Sequence, residues 1–173
     1  MKSHIAILCM TLLCSTSAYA AEGDRVTGTL EGEGITGEIR MVETASGAVL
    51  VEIQAEGVPE GEHGIHVHET GKCDSADNFE SAGGHLALGL DHGVHNENGP
   101  HPGDLPNVRA GADGLVQAEY FVRGFALGTE GDPRILDDDG AAVVLHSGAD
   151  DYISQPSGNS GARIACAVLN PAE

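Results

Sequence analysis

Basic residues are scarce in this 173-residue chain: Lys and Arg number 8 against 27 Asp and Glu, which gives a formal net charge of -19. A surface of this sign repels phosphate groups, so nucleic acid and anionic membranes are poor partners. The acidic excess mainly keeps a protein soluble, and it identifies no function by itself.

The chain also lacks a long apolar run. Residues 5–13, within the opening stretch MKSHIAILCMTLLCSTSAYA, are the apolar part of that stretch and are too few to span a membrane. The lysine at position 2 and the small residues around Ala20 predict a secretory signal peptide over residues 1–20. We therefore predict an exported protein, periplasmic or secreted, whose single domain occupies residues 21–173.

Cysteine and methionine are scarce as well, with four and three residues. Signal cleavage leaves two thiols in an oxidising compartment, so we predict a disulfide between Cys73 and Cys166 rather than two unpaired buried thiols. A loop of this length gives about 4 to 5 kcal/mol in the chain-entropy model. Only Met41 survives cleavage, which argues against a methionine-rich metal carrier.

No convincing amphipathic helix occurs in the sequence. Short segments instead alternate Val, Ile, Leu and Thr with polar residues: RVTGTLEG, TGEIRMVE, AVLVEIQAEG, GIHVHE, LVQAEYFV, AAVVLHS and ARIACAVL. Period two between Gly, Ser and Asp turns predicts antiparallel strands of a sandwich or barrel. TASG at 44–47 and DDDG at 137–140 are predicted turns, because DDDG lacks the spaced ligands of a calcium loop.

Residues 70–107 depart from the strand pattern and are rich in Gly, His, Asn and Asp. A structureless stretch of this length in a compact domain is either disordered or held in place by something. Four of the nine histidines lie in it, namely His85, His92, His95 and His101. Their number predicts that metal ions scaffold the stretch.

The candidate chelating pair is His66 and His68, which are two apart in a predicted strand and therefore point to the same face. His63 is an odd step away and is expected to face the other side. His146 ends the strand VVLH, and HPGD at 101–104 sets a histidine and an aspartate three apart. Imidazoles suit copper and zinc, and a carboxylate among several imidazoles suits zinc.

Five motifs together resemble the copper/zinc superoxide dismutase family, most closely its bacterial periplasmic group. They are GIHVHETGKC, SAGGH, HG followed at nine residues by HPGDLPN, LHSGADD and GARIACAVL, in the family's order and roughly its spacing. The resemblance covers nearly all of the mature chain. It implies an all-β, Greek-key antiparallel barrel or sandwich of immunoglobulin-like architecture with long metal-binding loops, and it leaves open whether two copies pair as a homodimer.

Carried over residue by residue, the resemblance implies two sets of metal ligands. The copper ligands would be His66, His68, His85 and His146. The zinc ligands would be His85, His92, His101 and Asp104. A histidine bound through both ring nitrogens has lost its proton, so His85 would be an imidazolate bridge.

Two further residues match positions of the family, and one region departs from it. Asp150 matches the carboxylate that orients one copper and one zinc histidine. Arg163 matches the arginine beside the copper, although a surface charge at a strand start is the alternative. After the bridging histidine, HLALGLDHG replaces the family's usual Asn-Pro or Asp-Pro, and the step to His92 is short. His95 is therefore the alternative zinc ligand.

The reaction implied by the resemblance is the disproportionation of superoxide. Copper(II) takes an electron from one superoxide and releases oxygen, and copper(I) returns it to a second, which leaves as hydrogen peroxide after gaining two protons. His85 would take up a proton and return it with the second electron. Zinc does not change oxidation state, so its role would be structural and electronic.

Two other function classes stay open at this stage. One is an exported copper or zinc carrier without turnover, and the other is a structural barrel that has lost the chemistry. Ligands from widely separated strands favour a rigid enzyme site, and every matched ligand position is filled. The loop at 148–161 carries no lysine, and Lys72 is the last lysine after cleavage, so Arg163 is the one motif-placed group that could attract superoxide.

Overall fold

The structure is a computed structural model that describes residues 23–128 and 133–172. The expected signal peptide lies outside the described residues. The described part of the chain is nearly all β, with two short 3-10 helices at Ser75–Asp77 and Glu80–Ala82. None of its helices is long and apolar enough to cross a membrane. The predicted all-β class is confirmed.

In the residues that the structure describes, ten strands form two antiparallel sheets. Their bounds are β1 Arg25–Gly32, β2 Ile35–Glu43, β3 Val49–Glu56, β4 Gly61–His63, β5 Ile65–His68, β6 Val108–Ala110, β7 Val116–Val122, β8 Ala142–His146, β9 Arg163–Val168 and β10 Asn170–Pro171. The large curled sheet has the order β5-β8-β9-β1-β2-β3-β7, with β10 beside β1, and β4 pairs with β6 separately. Seven strands match predicted segments. β4, β6 and β10 did not emerge from the sequence, because two or three residues are too few to show alternation.

The inner face of the large sheet forms the core. In β3, Val49, Val51 and Ile53 are buried and the residues between them are more exposed. Fully burying one such side chain contributes about 1.5 to 3 kcal/mol, so period two fixes which face turns inward. Gly32 of β1 lies where no side chain would fit, because a Cβ there would be 2.1 Å from the carbonyl oxygen of Ile164.

Both predicted turns are present. At TASG the amide of Gly47 donates to the carbonyl of Thr44 (2.8 Å), and Gly47 has a φ of 71°, which glycine adopts without strain. At DDDG the amide of Gly140 donates to the side chain of Asp137 (2.9 Å). The hydrogen bonds of DDDG are those of a turn.

β8 is buried along its whole length, unlike the alternating strands. Its inner face joins the core, and its outer face belongs to a second apolar cluster, which also contains residues of β9 and of the loop at 70–107 that we call the long loop. The members of that cluster are Phe79, Ala82, Ala142, Val144 and Cys166. The predicted disulfide between Cys73 and Cys166 is confirmed, with 5.7 Å between the Cα atoms, and it ties the long loop to β9. The loop therefore covers the outer face of the sheet beside β5 and β8.

Candidate metal centre

β5 carries two histidines on its covered outer face. His66 pairs with Val144 and His68 with Ala142 across β8, so both imidazoles lie on the side of the second apolar cluster. His66 and His68 are almost completely buried, and so is His146 at the end of β8. His66 and His68 thus lie on the same face of β5, as the alternation of a strand predicts.

The long loop docks along the free edge of β5. The amide of Leu86 donates to the carbonyl of Val67 (2.8 Å), and the amide of Val67 donates to the carbonyl of Gly103 (2.9 Å). These bonds align the loop with the strand, so that His85 lies opposite His68 and Asp104 opposite His66. Backbone hydrogen bonding thus brings the loop's donors to the strand's histidines.

We call His66, His68, His85 and His146 the strand group, because three of the four lie on strands. Their ligand atoms all lie within 4.8 Å of one another. In each, one ring nitrogen is buried and has no hydrogen-bond partner. These atoms are His66 Nδ1, His68 Nε2, His85 Nε2 and His146 Nε2.

The opposite nitrogens of the strand group are occupied. Nε2 of His66 lies 2.8 Å from Asp150 Oδ2, and Nδ1 of His68 lies 3.0 Å from the carbonyl of Gly83. Nδ1 of His146 lies 3.4 Å from the carbonyl of Gly161. A nitrogen that donates its proton to an oxygen leaves its partner with a free lone pair. Buried polar atoms are normally paired, so four unpaired nitrogens in one place fit a metal ion.

We call His85, His92, His101 and Asp104 the loop group, because all four lie in the long loop. Oδ1 of Asp104 lies 3.3 Å from His85 Nδ1, 2.9 Å from His92 Nδ1 and 3.2 Å from His101 Nδ1. Ligands about 2.0–2.1 Å from a tetrahedral zinc are about 3.3–3.4 Å from one another. The loop group therefore has the donor types of a zinc site, and its carboxylate lies at nearly zinc-ligand spacing from all three imidazoles.

A second combination of donors can be compared with the loop group. His66, His85, His92 and Asp104 also bring ligand atoms within 4.8 Å of one another. However, Nε2 of His66 is hydrogen-bonded to Asp150, and its Nδ1 is one of the four unpaired nitrogens of the strand group. His101 is the better fourth donor, because its buried Nδ1 makes no hydrogen bond and faces Asp104 Oδ1 (3.2 Å), while its Nε2 donates to the carbonyl of Leu90 (3.0 Å).

The two candidates for the uncertain loop ligand lie in different surroundings. His92 is fully buried, with Nδ1 against Asp104. His95 is exposed, and its amide donates to the carbonyl of Tyr152 (3.2 Å). The fold brings His92 to the other donors and leaves His95 at the surface.

Burial keeps the imidazoles of the strand group uncharged. Burial lowers the pKa of His68 to about 2 and that of His146 to about 3, and it lowers the pKa of His85 to about 4. The pKa of His66 is lowered by burial too, although Asp150 opposes the shift. Neutral imidazole is the form that binds a metal, so protons do not compete at neutral pH.

His92 and Asp104 of the loop group have the opposite electrostatics. Burial lowers the pKa of His92, but hydrogen bonds and charges of Asp104 and Asp150 outweigh it and raise the pKa to about 9. Burial raises the pKa of Asp104, and the bonds from His85 and His92 reverse this, so its pKa lies well below the usual range. Without a metal, a protonated His92 balances two carboxylates, and a cation bound there would release that proton.

Asp150 links the two groups. Its Oδ2 lies 2.8 Å from Nε2 of His66 and its Oδ1 lies 3.0 Å from Nε2 of His92. The carboxylate is buried, and the two imidazoles hold its pKa below the usual range against the effect of burial. These contacts are those expected for a residue that fixes one histidine of each group.

Arg163 lies beside the strand group. Its Nη1 donates to the carbonyl of Phe79 (2.7 Å), and its Nη2 donates to the carbonyl of Gly83 (2.8 Å), which His68 also contacts. Its side chain is 16% exposed, and Oε2 of the exposed Glu80 lies 3.5 Å from Nη2. The guanidinium is thus fixed near His68 and still reachable from solvent.

His63 has a role that the sequence did not indicate. It is buried, with Nδ1 2.8 Å from the carbonyl of His146 and Nε2 2.8 Å from the carbonyl of Pro59. The imidazole therefore connects β4 to the end of β8 that carries His146. Its closeness to the histidine pair in the sequence was the available signal.

Comparison with known proteins agrees with this geometry. The sequence matches the family described as copper/zinc superoxide dismutase (SODC) over residues 35–169. A Cu-Zn superoxide dismutase 2 of Aquifex aeolicus is 36% identical over 172 residues, which are 98% of this chain and 99% of that protein. A Cu-Zn superoxide dismutase of Caulobacter vibrioides is 40% identical over 136 residues, 77% of each chain.

A solved structure supports the same relationship. The crystal structure of a SOD-like protein from Bacillus subtilis superposes with a TM-score of 0.78 at 40% identity, and the match covers 83% of this chain and 97% of that one. Fold, donor arrangement and sequence agree over most of the chain. The chain therefore belongs to the copper/zinc superoxide dismutase family.

Proposed function

We propose that the protein is a superoxide dismutase that binds copper at the strand group and zinc at the loop group, with His85 shared between them. The observation that carries the assignment is the set of buried, unpaired imidazole nitrogens that converge in the strand group. An all-imidazole set suits copper, and the carboxylate of the loop group suits zinc. When bound, copper supplies one-electron redox chemistry and zinc supplies a fixed positive charge.

The chain's own residues perform three tasks in this proposal. Arg163 attracts the superoxide anion to the strand group, because it is the cation fixed beside His68. Asp150 keeps His66 and His92 in orientation by hydrogen bonds to both. His85 directs Nδ1 to the loop group and Nε2 to the strand group, so Nε2 can hold a proton and pass it to the product.

The overall reaction consumes two superoxide anions and two protons and yields oxygen and hydrogen peroxide. One superoxide is oxidised and the other is reduced, so no external electron donor is needed. Burial lowers the pKa of His68 and of His146, so both imidazoles are uncharged at neutral pH and their free nitrogens stay available to copper.

We also propose that the protein acts after export. The signal-like residues 1–20 support this location, and so does the disulfide between Cys73 and Cys166, since such bonds persist in oxidising compartments. Mass spectrometry of the protein recovered from the exported fraction of an expression host should show residue 21 as the first residue. A retained residue 1 after export would contradict the cleavage site.

Metal analysis of the purified protein, coupled to a stopped-flow dismutation assay, tests the function. We expect one copper and one zinc per chain, and turnover that chelation abolishes and copper restores. Bound metal without turnover would indicate a carrier. Absence of copper binding would overturn the proposal.

A further inference from the structure

The backbone of His92 is held by a side chain from another loop. His92 lies in a segment without strand or helix, so no sheet bonds fix its main chain. Oε1 of Gln155 accepts the His92 N–H (2.9 Å), and Nε2 of Gln155 donates to the His92 carbonyl (3.0 Å). Asn96 also donates to that carbonyl. The side-chain amide of Gln155 therefore pairs with both polar groups of the His92 main chain, much as a neighbouring strand would.

The loop that carries Gln155 is itself fixed to the site. The side-chain amide of Asn107 forms the same kind of pair with the main chain of Asp150. Its Oδ1 accepts the Asp150 N–H (2.9 Å), and its Nδ2 donates to the Asp150 carbonyl (2.9 Å). The amide of Tyr152 donates to Oδ1 of Asp150. Residues 150–155 thus form a platform whose position relative to the long loop is defined by hydrogen bonds.

The two loops touch closely where His92 is held. A Cβ added at Gly93 would lie 2.1 Å from the carbonyl oxygen of Tyr152, so the backbones are in contact there. The imidazole of His92 then reaches Asp104 with Nδ1 and Asp150 with Nε2. Gln155 contacts neither ring nitrogen, so any influence it has on them passes through the position of the His92 main chain.

We propose that Gln155 is a positioning residue for His92 and that it sets how firmly the loop group holds zinc. This inference depends on the proposed function, because it takes the loop group as the zinc site. Loss of the Gln155 side-chain amide leaves the His92 N–H without its acceptor and the His92 carbonyl bonded to Asn96, so Nδ1 of His92 can move away from the other three donors more easily. Copper at the strand group is affected less, because His66, His68 and His146 lie on strands.

The test compares two variants of the same loop in the fully metal-loaded protein. Gln155→Met keeps the length of the side chain and removes both hydrogen bonds. Asn159→Gly is the matched control, because within the described residues the side chain of Asn159 bonds Asp151 and Ser154 of its own loop, and its φ of 51° is one that glycine tolerates. Zinc and copper release to a coloured chelator are followed separately. Visible absorption of cobalt(II) placed at the zinc site reports the ligand geometry.

We expect Gln155→Met to release zinc about tenfold faster, as for other residues that orient metal ligands, with copper release unchanged. Its cobalt spectrum should shift, while Asn159→Gly should match the wild type in both measurements. Gln155→Glu keeps an oxygen that accepts the His92 N–H, so its zinc release should lie between the two. It also provides the test if Gln155→Met does not fold.

Unchanged zinc release and an unchanged cobalt spectrum in the Gln155 variants would overturn the inference while leaving the proposed function intact. Equal acceleration by Asn159→Gly would also overturn it, because the effect would then belong to loop order in general. A wild-type protein that binds no zinc would overturn both this inference and the zinc part of the proposed function.

Discussion

The strand group and the loop group lie side by side, but different kinds of structure hold them. His66, His68 and His146 lie on β5 and β8, whose main chains are bonded to each other across the sheet. The residues of the loop group lie in a segment with no strand of its own between β5 and β6, and its members are held by hydrogen bonds to carboxylates and to the edge of β5.

This difference implies different dependence on metal. A sheet keeps its ligands in position whether or not an ion is bound, because its stability comes from the core. A loop gains order from the ion, and the binding energy then becomes stability of the native state. We therefore expect the strand group to control turnover and the loop group to control stability.

The largest expected effect is loss of activity in His146→Ala. Removing this imidazole from the strand group should lower dismutation by about two orders of magnitude or more, because it removes one of the converging nitrogens. Zinc content should stay at the wild-type level, because His146 is not in the loop group. A stopped-flow assay with metal analysis measures both. Full activity would remove His146 from the copper site.

Asp104→Ala tests the dependence of stability on the loop group. It removes the carboxylate that three imidazoles surround, so zinc should be lost. At a zinc concentration about a thousand times the dissociation constant, binding contributes about 4 kcal/mol, so the Tm should fall by about 10 °C. Calorimetry and hydrogen exchange of residues 84–107 measure the effect.

Two histidine variants provide the control for that experiment. His92→Ala should lose zinc as Asp104→Ala does, because its Nδ1 lies 2.9 Å from Asp104. His95→Ala should retain zinc and melt near the wild-type temperature, because His95 is at the surface. Zinc loss in His95→Ala alone would exchange the two assignments, and unchanged zinc in Asp104→Ala would contradict the loop group as a whole.

Arg163→Glu tests how superoxide is attracted to the strand group. Charges beyond a Debye length of about 8 Å are largely screened at physiological salt, so a cation close to the strand group can dominate the final approach of superoxide despite the net charge of -19. We expect kcat/KM to fall about tenfold with copper and zinc contents unchanged. In the wild type the rate should fall with added salt.

Lys72→Glu is the matched control for this reversal, because it makes the same charge change at an exposed position of the disulfide-tied loop that Arg163 contacts. It should leave kcat/KM near the wild-type value. A normal rate in fully metallated Arg163→Glu, or a wild-type rate that rises with salt, would show that Arg163 does not guide superoxide.

The smallest expected effect is a gain in Glu80→Gln. The carboxylate of Glu80 lies 3.5 Å from Arg163 Nη2 and is 71% exposed. Solvent screens such a pair, so Glu80 cancels only a small part of the attraction of Arg163 for superoxide. Removing its charge should raise kcat/KM by about twofold at low salt, and the gain should disappear at high salt. A lower rate would mean that Glu80 is needed to hold Arg163 in place.

The fold was accessible from the sequence where alternation is long enough to be seen. The seven predicted segments became seven strands of the large sheet; in strands such as β3 the single buried face requires period two, whereas β8 is buried on both faces. β4 and β6 have three residues each and show no period. The parity argument for His63 assumed one continuous strand through position 68, but β4 ends at His63 and β5 begins at Ile65, so the parity is not carried across.

The loop group could be predicted only in part. Motif resemblance indicated His101 and Asp104, but spacing could not separate His92 from His95, because irregular backbone has no fixed period. Burial separates them in the structure. Gln155 and Asn107 carry no sequence signal of their own, because their partners are main-chain atoms of distant residues, brought near only by the folded loops.

Anomalous diffraction at the copper and zinc absorption edges, from crystals of the metal-loaded protein, tests the two-group account most directly. We expect a copper peak among His66 Nδ1, His68 Nε2 and His146 Nε2, and a separate zinc peak bounded by Asp104 and the Nδ1 atoms of His85, His92 and His101. His85 should lie between the two peaks. Zinc at the strand group, or a single metal peak in the fully loaded protein, would contradict the account.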